Sequence, residues 1–268
     1  MTNRILENKT ALIHGAGGAI GGAVARAFAR QGAKVFLAGR TLAKLDAVAK
    51  GILAAGGVAE TAQVDALDER AVNAHADAVA AKSGRIDIAL NAVGIRHVQG
   101  PYFAELSLEE YALPITGYTR TNFITAKAAA RHMIKASRGV ILTLSTPGSR
   151  MAGTGFLGYG VTCAAVEAFT RLLAADLGPS GIRVNCLRPH AIPEAAAKGS
   201  HSRDVFRPVA ERAGITVEAM LSQAATTTLL KRLPTLDEVA NAAVFLASDQ
   251  AGAMTAAIAN LSCGALVD

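Results

Sequence analysis

The run His14-Gly15-Ala16-Gly17-Gly18-Ala19-Ile20-Gly21-Gly22 carries the clearest chemical signal in the chain. Its small residues let backbone approach a diphosphate, and a helix that begins within it offers unpaired N–H donors to the negative charge. With Ile at position 20 the run is not G-x-G-x-x-G, so its weight comes from context. An apolar strand precedes it, an amphipathic helix follows, and a second strand ends in Ala38-Gly39-Arg40. The expectation is a dinucleotide site, with Gly17 among the glycines that let the backbone come close. Folds of this kind that prefer NAD place an acidic residue after the second strand, where it grips the adenosine ribose 2′-hydroxyl. Gly39 and Arg40 stand there instead. A carboxylate would repel a 2′-phosphate and an arginine fork can hold one bidentately, so Arg40 points to NADP(H) unless it is a solvated loop charge.

Asp65, at the end of the third strand, is placed either to accept from an adenine amino group or to cap the next helix. Arg188 and His190 flank Pro189 at the end of the sixth strand, on the rim where ligands collect in open α/β sheets. Imidazole titrates near neutrality, which makes His190 a candidate proton donor and otherwise a polar surface group. Arg96 and His97 directly follow Gly94 and are candidates for contact with an anionic substrate.

These residues must be positioned by a repeating strand–helix pattern. Short β-branched or leucine-rich runs, at residues 10–14, 34–38, 58–64, 86–90, 140–144, 183–187 and 258–261, alternate with segments of helical period. The fold class expected is α/β: a Rossmann-type doubly wound parallel sheet of about seven strands with helices on both faces, as a single domain over 1–268. Ile20, Val24 and Phe28 share one face of the first helix, which Gly32 closes. Thr235 followed by Glu238 is a capping box that starts the final helix. Residues 191–234 are richer in polar and small residues, with a weak helical pattern at 217–221, and are expected to form a lid over the ligand.

Composition narrows the functional classes. Apolar residues make up 51% and aromatics 4%, with no tryptophan, so the core must be built of aliphatic side chains between layers. No apolar run approaches the roughly 18 to 20 residues that span a bilayer, and the first residues lack a signal-peptide core, so no membrane role and a cytoplasmic location are expected. Cys163, Cys186 and Cys263 stand at neither metal-ligand nor redox spacing, and no metal is expected. The formal charge of +6 is dispersed, without a basic run or groove-reading motif, which argues against nucleic acid and for mild attraction of an anionic ligand.

With the glycine turn, Asn91-Ala92-Val93-Gly94 after the fourth strand, and Tyr159 opening the helix before Gly181-Ile182-Arg183-Val184-Asn185, the chain resembles the short-chain dehydrogenase/reductase family. The likeness runs over nearly the whole length. It takes in Leu144-Ser145-Thr146, Arg188-Pro189-His190 at the family's Pro-Gly position, and Phe245-Leu246-Ala247-Ser248. It implies that Gly15, Ile20 and Gly21 touch the cofactor diphosphate, Asp65 the adenine, Asn91, Ala92, Val93 and Gly94 the central dinucleotide, and Tyr159 the nicotinamide site, with Pro189 nearby. It also implies a small-molecule carbonyl or alcohol substrate, and a homotetramer or homodimer built from helices around 121–133 and 159–177.

The family works through an Asn, a Ser, a Tyr and a Lys four residues beyond the Tyr; these positions fall on Tyr118, Thr146, Tyr159 and Cys163. Thr146 retains a hydroxyl to offer a substrate carbonyl. Tyr118 would present a phenol or simply pack, with Pro114 and Gly117 suggesting that its helix starts or bends differently. Cys163 is expected to pack in its helix. The family's ammonium lowers the tyrosine pKa, and an unassisted tyrosine, near 10, is ionised to only about one part in 10³ at pH 7. Alcohol oxidation needs the phenolate and carbonyl reduction the neutral phenol, so NADP(H)-dependent reduction is the expected reaction. A catalytically degenerate dinucleotide-binding protein and a non-redox dehydratase or isomerase in the same pocket are the alternatives.

Overall fold

β-branched and leucine-rich runs fold as strands buried on both faces, which is why they read as continuous rather than alternating apolar sequence. The structure, a computed structural model, describes residues 4–198 and 200–268. Seven strands form one parallel sheet: β1 Thr10–His14, β2 Lys34–Gly39, β3 Val58–Gln63, β4 Ile88–Asn91, β5 Gly139–Leu144, β6 Ile182–Pro189 and β7 Ile258–Leu261. Their order, β3-β2-β1-β4-β5-β6-β7, reverses between β1 and β4, where His14 pairs in register with Asn91. Ligands bind beyond the carboxyl ends of the strands at such a switch point. The doubly wound sheet expected from the sequence is therefore present, with β4 displaced by a residue or two toward that rim.

Along β1, Ala11 and Ile13 pack into one layer and Leu12 into the other. The first layer is closed by α1 (Ala19–Arg30), α2 (Leu42–Ala54) and α9 (Leu236–Ala247), through Phe28, Leu45 and Val239 among others. The second is closed by α3 (Glu69–Ser83), α4 (Leu108–Ala136) and α5 (Leu157–Leu177), through Val72, Met133 and Leu177. The α9 capping box forms as read: Glu238 N–H donates to Thr235 Oγ1 at 3.1 Å, and Thr235 N–H donates to Glu238 Oε2 at 2.9 Å.

Three expectations are corrected. Pro114 neither starts nor interrupts α4, which opens earlier at a Ser107/Glu110 capping box and carries the proline inside it, packed against Gly158 of α5. The cap of α3 is Asp68, whose side chain accepts from Ala71 N–H, whereas Asp65 accepts from Leu67 N–H at 3.0 Å and closes a local turn. The 191–234 segment is far more ordered than its weak pattern suggests, with three helices: α6 (Pro193–Ala197), α7 (His201–Arg212) and α8 (Val217–Thr227).

Arg188 departs most from the sequence reading. It is only 1% exposed and turns inward from the rim, with its Nη1 3.4 Å from Glu167 Oε2 and its other terminal nitrogen on Asp268. Glu167 in turn accepts from Ser145 at 2.8 Å and from Ser149 at 2.6 Å. This ties α5 to the end of β5 and to the 3₁₀ turn Pro147–Ser149, and so fixes the backbone on either side of Thr146. Breaking one side of such a buried pair costs about 3 to 5 kcal/mol, because it strands the other charge.

Candidate active site

A cleft of about 1080 Å³ opens at the switch point, bounded by the ends of β1, β2, β4, β5 and β6 and roofed by α7 and α8. Gly15, with φ +78°, turns the chain at the end of β1; a Cβ there would collide with the Ala92 carbonyl, so the β1 and β4 loops touch only because position 15 has no side chain. Gly21 has the same role one step on, because its Cβ would collide with the Gly15 carbonyl. The N-cap of α1, Gly18, makes no side-chain cap bond and the first turn carries no acid, which leaves its amides open to an anion. This crowded glycine turn beside an open helix start fits a dinucleotide diphosphate.

Gly15, Gly17, Ile20, Arg40, Asp65, Ala92, Val93, Gly94 and Pro189 all line the cleft. Gly21 and Asn91 do not: Gly21 packs beneath the turn, and Asn91 shapes the β4 loop by accepting from Val93 N–H at 3.0 Å. Arg40 is exposed and stands with Arg26 and Lys44 along the same wall. Sequence reading missed those two cations, although Lys44 stands in the first turn of α2 beyond the β2 end and Arg26 in the second turn of α1 after the glycine run. It also missed His201, the first residue of α7, whose imidazole fills the space where a Cβ on Gly94 would be.

At the far end, β5 delivers Thr146 and the first turns of α5 deliver Tyr159 and Cys163. Thr146 Oγ1 lies 3.2 Å from Cys163 Sγ, and both groups neighbour the Tyr159 hydroxyl. Tyr159 and Thr146 line the cleft, whereas Cys163 lies behind them at 2% exposure, the packing role expected of it. Burial pushes the Tyr159 phenol well above its ordinary value of 10, and Cys163 and Tyr118 push it the same way; the Thr146 hydrogen bond opposes them weakly. No cation among the described residues offsets that shift. The phenol is thus a still weaker acid than an unassisted tyrosine, and it stays protonated throughout the physiological range.

Tyr118 comes to the same cluster from α4. Its hydroxyl donates to the Ile95 carbonyl at 3.5 Å, and burial pushes its pKa up to about 12, so it too stays a neutral phenol. His97 stacks on Tyr159 with ring centroids 4.3 Å apart and planes 14° from parallel, and Arg96, its neighbour, reaches Asp204 of α7 at 3.3 Å. His190 lines the cleft with Nδ1 accepting from Ala191 N–H at 2.6 Å, which leaves Nε2 as its N–H donor; burial lowers its pKa. The cleft therefore joins an anion cradle to a pair of hydroxyls and neutral proton donors, which is a geometry for polarising and protonating a carbonyl oxygen. Beyond them α7 and α8 supply apolar wall, including Val205, Phe206 and Leu221.

Known proteins resemble this chain over most of its length. A family model described as enoyl-(acyl carrier protein) reductase matches residues 15–265. The chain is 33% identical over 251 residues to an uncharacterised oxidoreductase, MT0954, of Mycobacterium tuberculosis, covering 93% of this chain and 89% of that one. It is 30% identical to the short-chain reductase protein NovJ of Streptomyces niveus, covering 94% and 91%. Among solved structures, a 7α-hydroxysteroid dehydrogenase complexed with NADH and 7-oxo glycochenodeoxycholic acid superposes with a TM-score of 0.85 at 27% identity, covering 98% of this chain and 96% of that one.

Proposed function

Because the chain belongs to the short-chain dehydrogenase/reductase family and is an oxidoreductase of that type, we propose that it is an NADP(H)-dependent enzyme that works chiefly as a carbonyl reductase. One observation carries the direction: Tyr159 meets Thr146 at the cleft wall with its phenol held neutral by burial and without a cation beside it. When bound, the reduced nicotinamide supplies a hydride to the carbonyl carbon. Thr146 hydrogen-bonds the carbonyl oxygen through its hydroxyl and orients it, and Tyr159 gives that oxygen its proton as the alcohol forms, the phenolate left behind taking a proton back from solvent. Ser145 and Ser149, anchored on Glu167, hold Thr146 in place; Tyr118 and the Nε2–H of His190 close the polar end of the cleft. In the reverse direction Tyr159 would have to act as phenolate, which its surroundings disfavour.

The dinucleotide preference rests on Arg40, with Arg26 and Lys44 on the same wall and no carboxylate after β2. Arg40→Asp is expected to weaken NADPH binding by about tenfold or more while leaving NADH within a few-fold, because only the 2′-phosphate loses a bidentate charged partner. Fluorescence titration with both dinucleotides checks this; equal losses for the two would remove the basis for NADP(H). Apolar side chains exposed on α4 and α5, such as Phe123 and Leu172, support a homo-oligomer packed through those helices.

The reading is tested by titrating the protein with NADPH and NADH, with and without a broad set of ketones, enones and quinones, and following both binding and oxidation. The expected result is NADPH binding and carbonyl-dependent oxidation. Tight binding without turnover on any carbonyl would make it a dinucleotide-binding protein instead.

A further inference from the structure

His97 lies in the loop between β4 and α4, outside any regular element, yet it is only 9% exposed and both of its ring nitrogens are engaged. Nδ1 is 2.8 Å from the Ile95 carbonyl oxygen, and Nε2 is 2.9 Å from the side-chain amide nitrogen of Gln99. A carbonyl only accepts, so Nδ1 carries the hydrogen; Nε2 then offers its lone pair to the Gln99 N–H. The pair fixes one tautomer and one ring plane. Gln99 is itself 2% exposed, so the amide that pins Nε2 is held within the protein. Burial lowers its pKa; the Ile95 bond opposes this with a smaller effect, and the nearby His201 lowers it a little further.

That pinned plane lies face to face on Tyr159, at 4.3 Å and 14°. Tyr118 closes the edges, its ring 6.0 Å from Tyr159 at 60° and 6.2 Å from His97 at 72°. The Ile95 carbonyl serves both neighbours, accepting from His97 and from the Tyr118 hydroxyl. At its hydroxyl end Tyr159 has a threonine and a thiol, and a thiol is a weak partner. The orientation of the phenol therefore depends on what grips its ring.

We propose that His97, locked by Ile95 and Gln99, is a positioning residue that holds the Tyr159 ring in the plane from which it delivers its proton. The inference rests on Tyr159 as proton donor, and its chemistry is that of a neutral aromatic plane rather than a charge. His97→Ala removes the plane; His97→Phe keeps a flat ring of similar size and removes the polar atoms.

In carbonyl reduction His97→Ala is expected to lose about 30-fold to 100-fold in kcat, with NADPH Kd and carbonyl KM changing less than about threefold, since misplacing a reacting group costs rate rather than affinity. His97→Phe should retain kcat within about threefold. The pH profile should keep its shape in both. An activity-independent readout comes from tyrosine labelled with 13C in the ring: the chain has four tyrosines, so Tyr159→Phe identifies the signal directly. The stack should shield that signal in the wild type and in His97→Phe, and the shielding should vanish in His97→Ala. A His97→Ala kcat within twofold of wild type would overturn the proposal, as would a His97→Phe loss as deep as that of His97→Ala, which would place the effect in the imidazole's polar atoms. A wild type with the shielded signal but no turnover on any carbonyl would overturn the proton-donor reading, and the catalytic purpose of His97 with it, while leaving the stack itself standing.

Discussion

Cys163→Lys is expected to raise oxidative kcat/KM at pH 7 by roughly 10-fold to 1000-fold, the gain in phenolate that follows when a nearby cation lowers a tyrosine pKa by about 1 to 3 units. Reductive kcat/KM should rise with it, because both directions start from the protonated phenol at pH 7 and pass through one transition state, so the reaction's equilibrium constant ties their ratio. The gain arises from the position of Cys163, which lies behind Tyr159 and Thr146 at 2% exposure, where any ammonium acts directly on the phenol. Glu167, one turn further along α5, is already engaged by Arg188, Ser145 and Ser149 and is not free to neutralise the new charge fully. The variant should fold with a lowered Tm, since a buried lysine is costly. Initial rates in both directions on protein verified by circular dichroism check the prediction, and a folded variant with no gain in oxidation would mean that Tyr159 does not transfer the proton.

Tyr159→Phe is expected to abolish the general acid while keeping the ring that stacks on His97. Reductive kcat should fall by about 10² to 10⁴, the usual contribution of a positioned acid. NADPH affinity should be unchanged within a few-fold, because the diphosphate turn and Arg40 lie at the other end of the cleft. A loss below about tenfold would shift the acid to another donor, and His190, with its free Nε2–H, would be the first to replace next.

Sequence alone makes much of the frame legible, for physical reasons that differ by element. The strands read clearly because both faces of the sheet are covered and burial leaves continuous apolar runs. The α9 start was legible because a capping box is a local arrangement of four residues. By contrast α7 is hard to read: its sequence HSRDVFRPVAER is mostly polar and contains Pro208, and its few apolar residues face the cleft and the small core shared with α8 rather than the main one. Arg188 was misplaced because its partners, Glu167 and Asp268, lie 21 and 80 residues away, and a sequence shows no such pairing. Likewise the spacing of Tyr159 and Thr146 was readable, but the burial that drives the phenol pKa up comes from Tyr118 and the surrounding fold.

The same contrast holds at the cofactor end. Gly15 and Gly21 announce a close backbone approach, and the structure supplies the carbonyls they approach. Arg40 is marked by the missing carboxylate after β2, whereas Arg26 and Lys44 join it only once α1 and α2 are folded onto that wall. His97, directly after Gly94, reads from the sequence as a candidate for contact with an anionic substrate; in the structure its nitrogens are used within the protein and its face lies on Tyr159.

The central claim is that Tyr159 acts as a neutral acid without a cation, and the pH dependence of the two directions tests it most directly. With the wild type and saturating dinucleotide, oxidative kcat/KM should rise about tenfold per pH unit with no plateau up to pH 10, while reductive kcat stays flat across the same range on account of this tyrosine. An oxidative profile that levels off below pH 8 would contradict the claim, because it would require a group already ionised near neutrality.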